Sequence, residues 1–103
     1  MIIVSIEKIP GKSIIDVKGL VTSSVAQSRH IGKDLAAGLK SVVGGELSGY
    51  TEMIEDSNKI VKERLIQRAK QMGANAIVGV HFDITAGQGS VELIGYGTAV
   101  IFD

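Results

Sequence analysis

Hydrophobic and polar residues alternate along four stretches of the chain and recur with helical spacing along two others. Alternation is typical of strands with one buried face, whereas apolar residues three or four positions apart indicate an amphipathic helix. The strand pattern covers residues 2–7, 12–25, 75–85 and 90–102, and the helical pattern covers residues 28–43 and 50–72. This ββααββ order predicts an α+β fold: one domain over residues 1–103, with two helices on one face of an antiparallel sheet.

Turn-forming residues separate these elements. Pro10-Gly11 matches the centre of a type II turn and predicts a hairpin between the first two strands. Gly73 follows the long helix where a left-handed C-terminal cap is expected. A four-residue loop over 86–89 would join the last two strands.

The side-chain faces of the last two strands follow from that loop. The alternation places Ala76, Val78, Val80, Phe82 and Ile84 on one face of the third strand. The fourth strand is apolar on both faces. Its small face carries Gly95, Gly97 and Ala99, and its bulky face carries Ile94, Tyr96, Val100 and Phe102. Because only one face can pack on the helices, the bulky face predicts self-association.

Charge and composition narrow the classes of function. Eleven basic residues balance eleven acidic ones, which argues against nucleic acid or an anionic membrane as a partner. The chain has no cysteine, so it holds no disulfide, thiolate metal site or cysteine nucleophile. No apolar run approaches the roughly 20 residues of a membrane span, and the N-terminus has no basic leader. We therefore expect a cytoplasmic protein.

Candidate chemistry is confined to a few side chains. With the 86–89 loop, Asp83 faces Glu92, His81 faces Ile94 and Gly79 faces Tyr96. Opposed carboxylates repel unless a cation neutralises them, so His81, Asp83 and Glu92 form a candidate site for a divalent metal ion. The alternative is an ordinary solvated surface at a hairpin tip.

Other polar features favour structural interpretations. His30 is expected to be a surface histidine. Gly44-Gly45 lacks the spacing of a phosphate-binding loop and is expected to be a turn between the helices. No Ser-His-Asp spacing or nucleophile elbow is present, so we predict no catalytic residues and no enzymatic activity.

Several blocks together resemble the YbjQ-like family, described as "putative heavy-metal-binding domain" proteins. The blocks are Gly19, Val43-Gly44-Gly45 followed by Tyr50, the run from Gly73 to Val80, and Gly97-Thr98-Ala99-Val100. The resemblance spans nearly the whole chain. It implies a dodecin-like subunit that assembles into a ring-shaped homo-pentamer, and it implies no established activity.

The sequence thus predicts a ring-forming homo-oligomer that binds a small ligand or ion between subunits. The alternative is a metal-binding protein that uses His81, Asp83 and Glu92. No organic cofactor is indicated.

Overall fold

A computed structural model describes residues 1–28, 45, 48–87 and 89–103. Its elements are β1 (Ile2–Ile3), β2 (Ile14–Ser28), α1 (Ser48–Gln71), β3 (Ala76–Gly87) and β4 (Ser90–Phe102). These strands and the long helix confirm the α+β class. The other predicted helix, over residues 28–43, lies almost wholly outside the described residues, as do His30 and Gly44.

The four strands form one mixed sheet in the order β1-β3-β4-β2. β2 and β4 are antiparallel, as are β3 and β4, but β1 runs parallel to β3. The predicted hairpin between the first two strands is therefore wrong. The turn itself is present, since Lys12 N–H donates to the Ile9 carbonyl and Gly11 has a φ of 76°. The chain simply carries β1 and β2 to opposite edges of the sheet.

Helix α1 packs on one face of the sheet through a stripe of residues four positions apart. Val61, Leu65 and Ala69 have no exposed surface, and Met53 and Ser57 are also buried. A Cβ added at Gly95 would lie only 2.6 Å from Val61 Cγ1, so the glycine permits this close approach. The prediction that small residues of β4 admit a helix is confirmed.

The helix ends in a Schellman motif. Gly73 has a φ of 83°, its N–H donates to the Lys70 carbonyl, and Ala74 N–H donates to Ala69. Asn75 then exchanges two hydrogen bonds with the backbone of Phe102, at 2.9 and 3.0 Å. This junction therefore joins the helix end to the last strand.

A second apolar cluster lies on the opposite face of the sheet, which we call the outer face. It comprises Ala76, Val78, Val100 and Phe102, with Val4 and Ile9 of the N-terminal segment packed against it. Half of the bulky face of β4 is thus covered within the subunit. Ile94, further along the strand, remains 40% exposed.

A bulge in β3 changes which side chains share a face. Val78 pairs with Thr98 but His81 pairs with Tyr96, so two residues, Gly79 and Val80, occupy one position of the ladder. Gly79 adopts a φ of 62°. Val80 consequently joins the helix-side core, while Ala76 and Val78 belong to the outer cluster. The predicted single face from Ala76 to Ile84 is therefore wrong.

Irregular pairing has the same effect in β2. Val17 pairs with Val100 and Gly19 with Ala99, whose side chains lie on opposite faces. Val17 thus shares the outer face with Leu20, which pairs with Thr98. Both are largely exposed, at 62% and 70%.

Within the described residues, no helix is long and apolar enough to cross a membrane.

Candidate functional site

Of the two histidines in the sequence, His81 lies within the described residues. Two contacts hold its ring in place. Its Nδ1 lies 2.8 Å from the Gly79 carbonyl oxygen. The ring also stacks on Tyr96, with centroids 5.7 Å apart and planes inclined by 17°. Since a carbonyl only accepts hydrogen bonds, Nδ1 carries the proton and Nε2 faces away from this contact. The β3 bulge therefore supplies both the position of His81 and its tautomer.

The carboxylates do not occupy their predicted positions around it. Asp83 pairs with Ile94, Glu92 pairs with Thr85, and His81 pairs with Tyr96 rather than Ile94. The predicted register is wrong by two residues because β3 and β4 continue to Gly87 and Ser90, which shortens the connection. The shift preserves the side-chain faces near the hairpin, so Asp83 and Glu92 become diagonal neighbours instead of a directly opposed pair.

The donor atoms do not fit the chemistry of a heavy-metal site. Soft metal ions favour thiolate and thioether ligands, yet the sequence has no cysteine, and Met53 and Met72 pack in or against the core. Among the residues the structure describes, no three His, Cys, Asp or Glu side chains come together as a metal-binding group. The assignment of His81, Asp83 and Glu92 as metal ligands stays a prediction.

A groove at the edge of the sheet contains a different set of polar groups. It has a volume of about 480 Å³ and lies between the N-terminal segment, the middle of α1 and the β3 bulge. Its lining includes the polar residues Ser5, Asn58, Lys62 and His81 and the apolar residues Ile3, Val4, Val80 and Phe82. Sequence analysis missed this set because its members come from three separate elements. Gly79 offered one signal, since an isolated glycine within a strand often marks a bulge.

A second exposed feature runs along the outer face of the sheet. We call Ile14, Val17, Leu20 and Ile94 the outer strip. Ile14, Val17 and Leu20 pair with outer-face residues of β4, and Ile94 is itself an outer-face residue of β4. The four side chains are between 40% and 70% exposed. Three of them lie on β2, an edge strand of the described sheet. The outer strip is thus an apolar surface next to a strand edge.

The two ends of β2 differ in how their backbone is covered. Arg64 Nη1 donates to the Ser24 carbonyl at 2.7 Å, and Arg68 donates to the Thr22 carbonyl. Towards the start of the strand, Lys18 Nζ lies 3.1 Å from the Asp16 carboxylate. Its hydrogen bond and charge hold the pKa of Asp16 below the usual value. No described side chain donates to the backbone carbonyls of residues 14–20.

Comparison with a solved structure supports the fold. A crystal structure of a protein of unknown function from Pediococcus pentosaceus, assigned to the DUF74 family, superposes with a TM-score of 0.64. The alignment covers 100% of this chain and 98% of that one, at 18% sequence identity.

Sequence comparisons identify much closer relatives. A UPF0145 protein from Bacillus velezensis is 72% identical over 100 residues, which are 97% of this chain and 90% of the relative. One from Bacillus licheniformis is 62% identical over 101 residues, or 98% of each chain. A third, from Vibrio parahaemolyticus, is 50% identical over 97% of this chain and 96% of its own. The YbjQ family model, described as "Putative heavy-metal-binding", matches residues 1–103. The chain therefore belongs to the YbjQ (UPF0145) family.

Proposed function

We propose that this protein is a non-catalytic, cytoplasmic module that assembles with copies of itself and binds a small ligand or ion where subunits meet. The outer strip carries the proposal. A dodecin-like ring of five subunits is the arrangement that the family resemblance implies, and the features below support self-association without depending on that number.

The first support is the exposed apolar surface of the outer strip. Val17 and Leu20 are 62% and 70% exposed, and Ile14 and Ile94 are each 40% exposed. A contiguous group of exposed apolar side chains commonly marks a protein–protein interface.

The second support is the chemistry of β2. Long edge strands with exposed apolar residues pair readily with other strands, and proteins commonly protect them with charged side chains. Here the two arginines bond to the Thr22 and Ser24 carbonyls. Between Ile14 and Leu20 no described side chain donates to the backbone carbonyls, and the charged side chains there, Asp16 and Lys18, pair with each other. A strand edge beside an apolar strip suits another strand with an apolar face.

A second copy of this chain fits that requirement. The net charge is zero, so copies do not repel one another at long range. Among the described residues, the edge of β3 away from β4 has no partner beyond the bulge, since the N-terminal segment bonds to it only as far as Val80. Pairing residues 14–20 of one copy with residues 81–87 of the next would join unlike edges, and repeated contacts of that kind form a ring when the rotation between subunits closes.

The test is the molar mass in solution, measured by sedimentation equilibrium. We expect the wild-type protein to be an oligomer and Leu20→Glu to shift it towards monomer, because a carboxylate would be buried in the apolar contact. Ile2→Glu makes the same change at an exposed side chain of β1 and should leave the mass unchanged. A monomeric wild type, or equal effects of both variants, would overturn the proposal.

Metal binding is the alternative function. Its support is the orientation of His81, because a histidine whose Nδ1–H is held by a carbonyl presents Nε2 as a ligand. Asp83 and Glu92 would then have to complete the site with help from a second subunit. Elemental analysis of untagged protein, together with thermal shifts in zinc or manganese, decides the matter. Absence of both bound metal and a shift would exclude this function.

A further inference from the structure

We propose that Arg64 and Arg68 are gatekeepers, meaning charged residues that prevent residues 21–27 of β2 from pairing with the same segment of a second copy. The proposed assembly uses residues 14–20, so this inference concerns a different part of the strand. It does not depend on whether the protein is a monomer or a defined oligomer in solution.

The sequence of this part of β2 favours strand pairing. No charged residue lies between Lys18 and Arg29, a stretch of ten residues. Within the stretch, Val21, Thr22 and Val25 are β-branched, and there is no proline. Uncharged windows of six or seven residues with high β-propensity are the sequence signature of segments that stack into cross-β aggregates.

The position of the segment in the sheet makes it accessible to a second strand. β2 forms one edge of the described sheet, with β4 on its other side. Proteins commonly protect such edges with charged residues, prolines or bulges on the edge strand itself. The irregularities of β2 lie between Ile14 and Gly19, so residues 21–27 pair regularly with β4 and contain none of these protective features.

Helix α1 supplies the charges that the strand lacks. Arg64 Nη1 donates to the Ser24 carbonyl at 2.7 Å, and Arg68 Nη1 donates to the Thr22 carbonyl. Four helix residues advance about 6 Å and two strand residues about 6.7 Å, so the two arginines match neighbouring carbonyls on one side of the strand. The guanidinium groups therefore occupy the acceptors that the N–H groups of an incoming strand would need.

The charge of the two arginines adds a second barrier. Among the described residues, no carboxylate forms an ion pair with either of them, although Glu63 lines the same surface groove. Pairing residues 21–27 of two copies would bring both pairs of guanidinium groups together, and like charges across paired strands are destabilising. Each charge-assisted hydrogen bond that must open first lowers the accessible fraction of the edge at least about tenfold.

The experiment measures aggregation of the full-length protein under conditions in which it is folded. We expect Arg64→Met combined with Arg68→Met to form thioflavin-T-positive aggregates at least about tenfold faster than the wild type. Lys59→Met combined with Lys62→Met removes the same charge from exposed positions of the same helix that do not bond to β2. This lysine pair should aggregate no faster than the wild type.

Two further variants separate loss of the gatekeepers from other causes. Gly95→Ala disturbs the packing against Val61 but keeps both arginines, so it controls for lower stability and should stay soluble while folded. Each variant is compared at the same interval below its own Tm. Ala26→Lys restores a charge at an exposed position opposite Glu92, and it should suppress aggregation of the double arginine variant.

The proposal is overturned if the double arginine variant is as soluble as the wild type, or if the lysine pair or Gly95→Ala aggregates equally fast. Aggregation that Ala26→Lys does not suppress would also overturn it, because another surface would then be responsible. All these variants leave residues 14–20 unchanged. A monomeric wild type would therefore contradict the proposed assembly without affecting this inference.

Discussion

At the scale of single residues, glycines determine where side chains can go. Gly79 opens the β3 bulge with a φ of 62°, and Gly95 leaves room for Val61 of α1. The two glycines act differently: one provides a backbone conformation that other residues rarely adopt, and the other provides space. Both were visible in the sequence, but the space at Gly95 is defined by a helix more than thirty residues away.

Gly95→Ala tests the packing contact. The added methyl would lie 2.6 Å from Val61 Cγ1 and 2.9 Å from Phe82, and overpacking of this kind costs about 1–3 kcal/mol of unfolding free energy. Urea denaturation measures the loss. Combining it with Val61→Ala should cost less than the sum of the two single changes, because each relieves the other's steric defect. Strict additivity would show that the two residues do not compete for the same space.

At the scale of elements, the segment from Gly73 to Val80 joins the helix to the sheet. It ends α1 with a Schellman motif, anchors Phe102 through Asn75 and then introduces the bulge. Gly73, Asn75 and Gly79 thus each have a structural role in this segment. The segment places His81 on the outer face, and the carbonyl of its Gly79 holds the histidine ring.

Asn75→Ala tests that connection. It removes both hydrogen bonds to the Phe102 backbone, and the unpaired, part-buried groups should cost about 1–3 kcal/mol. Asn75→Asp retains an acceptor for the Phe102 N–H but sets a carboxylate against its carbonyl, so we expect it to be destabilising as well. Amide hydrogen exchange at Phe102 should accelerate in Asn75→Ala, which removes the acceptor of the Phe102 N–H. Unchanged exchange in Asn75→Ala would contradict the anchoring role.

At the scale of the whole molecule, the described residues cover the outer face of the sheet only in part. The N-terminal segment covers one part of the outer face, and the outer strip leaves another part open. A sheet with one helix layer and an apolar outer strip is stable in water only to the extent that its helix-side core compensates for that exposure. Assembly would remove the strip from water and add stability.

Stability should therefore depend on protein concentration. When folding is coupled to association, raising the concentration shifts the equilibrium towards the assembled native state and raises Tm. We expect Tm of the wild type to rise between micromolar and submillimolar protein in thermal melts followed by circular dichroism. Leu20→Glu should melt at a temperature that is nearly independent of concentration. A concentration-independent wild type would argue that the subunit is stable alone.

The sequence by itself determined the types of the described elements, the helix cap at Gly73 and the family. These depend on short-range periodicity, on turn residues such as Pro10-Gly11 and on the match across the whole chain. Local patterns suffice for such features because hydrogen bonding and burial repeat over a few residues.

Tertiary structure decided the parallel pairing of β1 and the β3–β4 register. It also decided which face of the sheet each side chain occupies before and after the irregularities in β2 and β3. The extra residue at Gly79-Val80 moves every later side chain of β3 to the opposite face of the sheet from the one that simple alternation predicts. The hydrophobic pattern of the sequence does not reveal this bulge. The groove around His81 was equally out of reach, since Ser5, Asn58 and Lys62 meet there only after the sheet and helix have packed. Pairing between distant segments depends on the free energy of the whole sheet, which cannot be deduced from the pattern of residues within one segment.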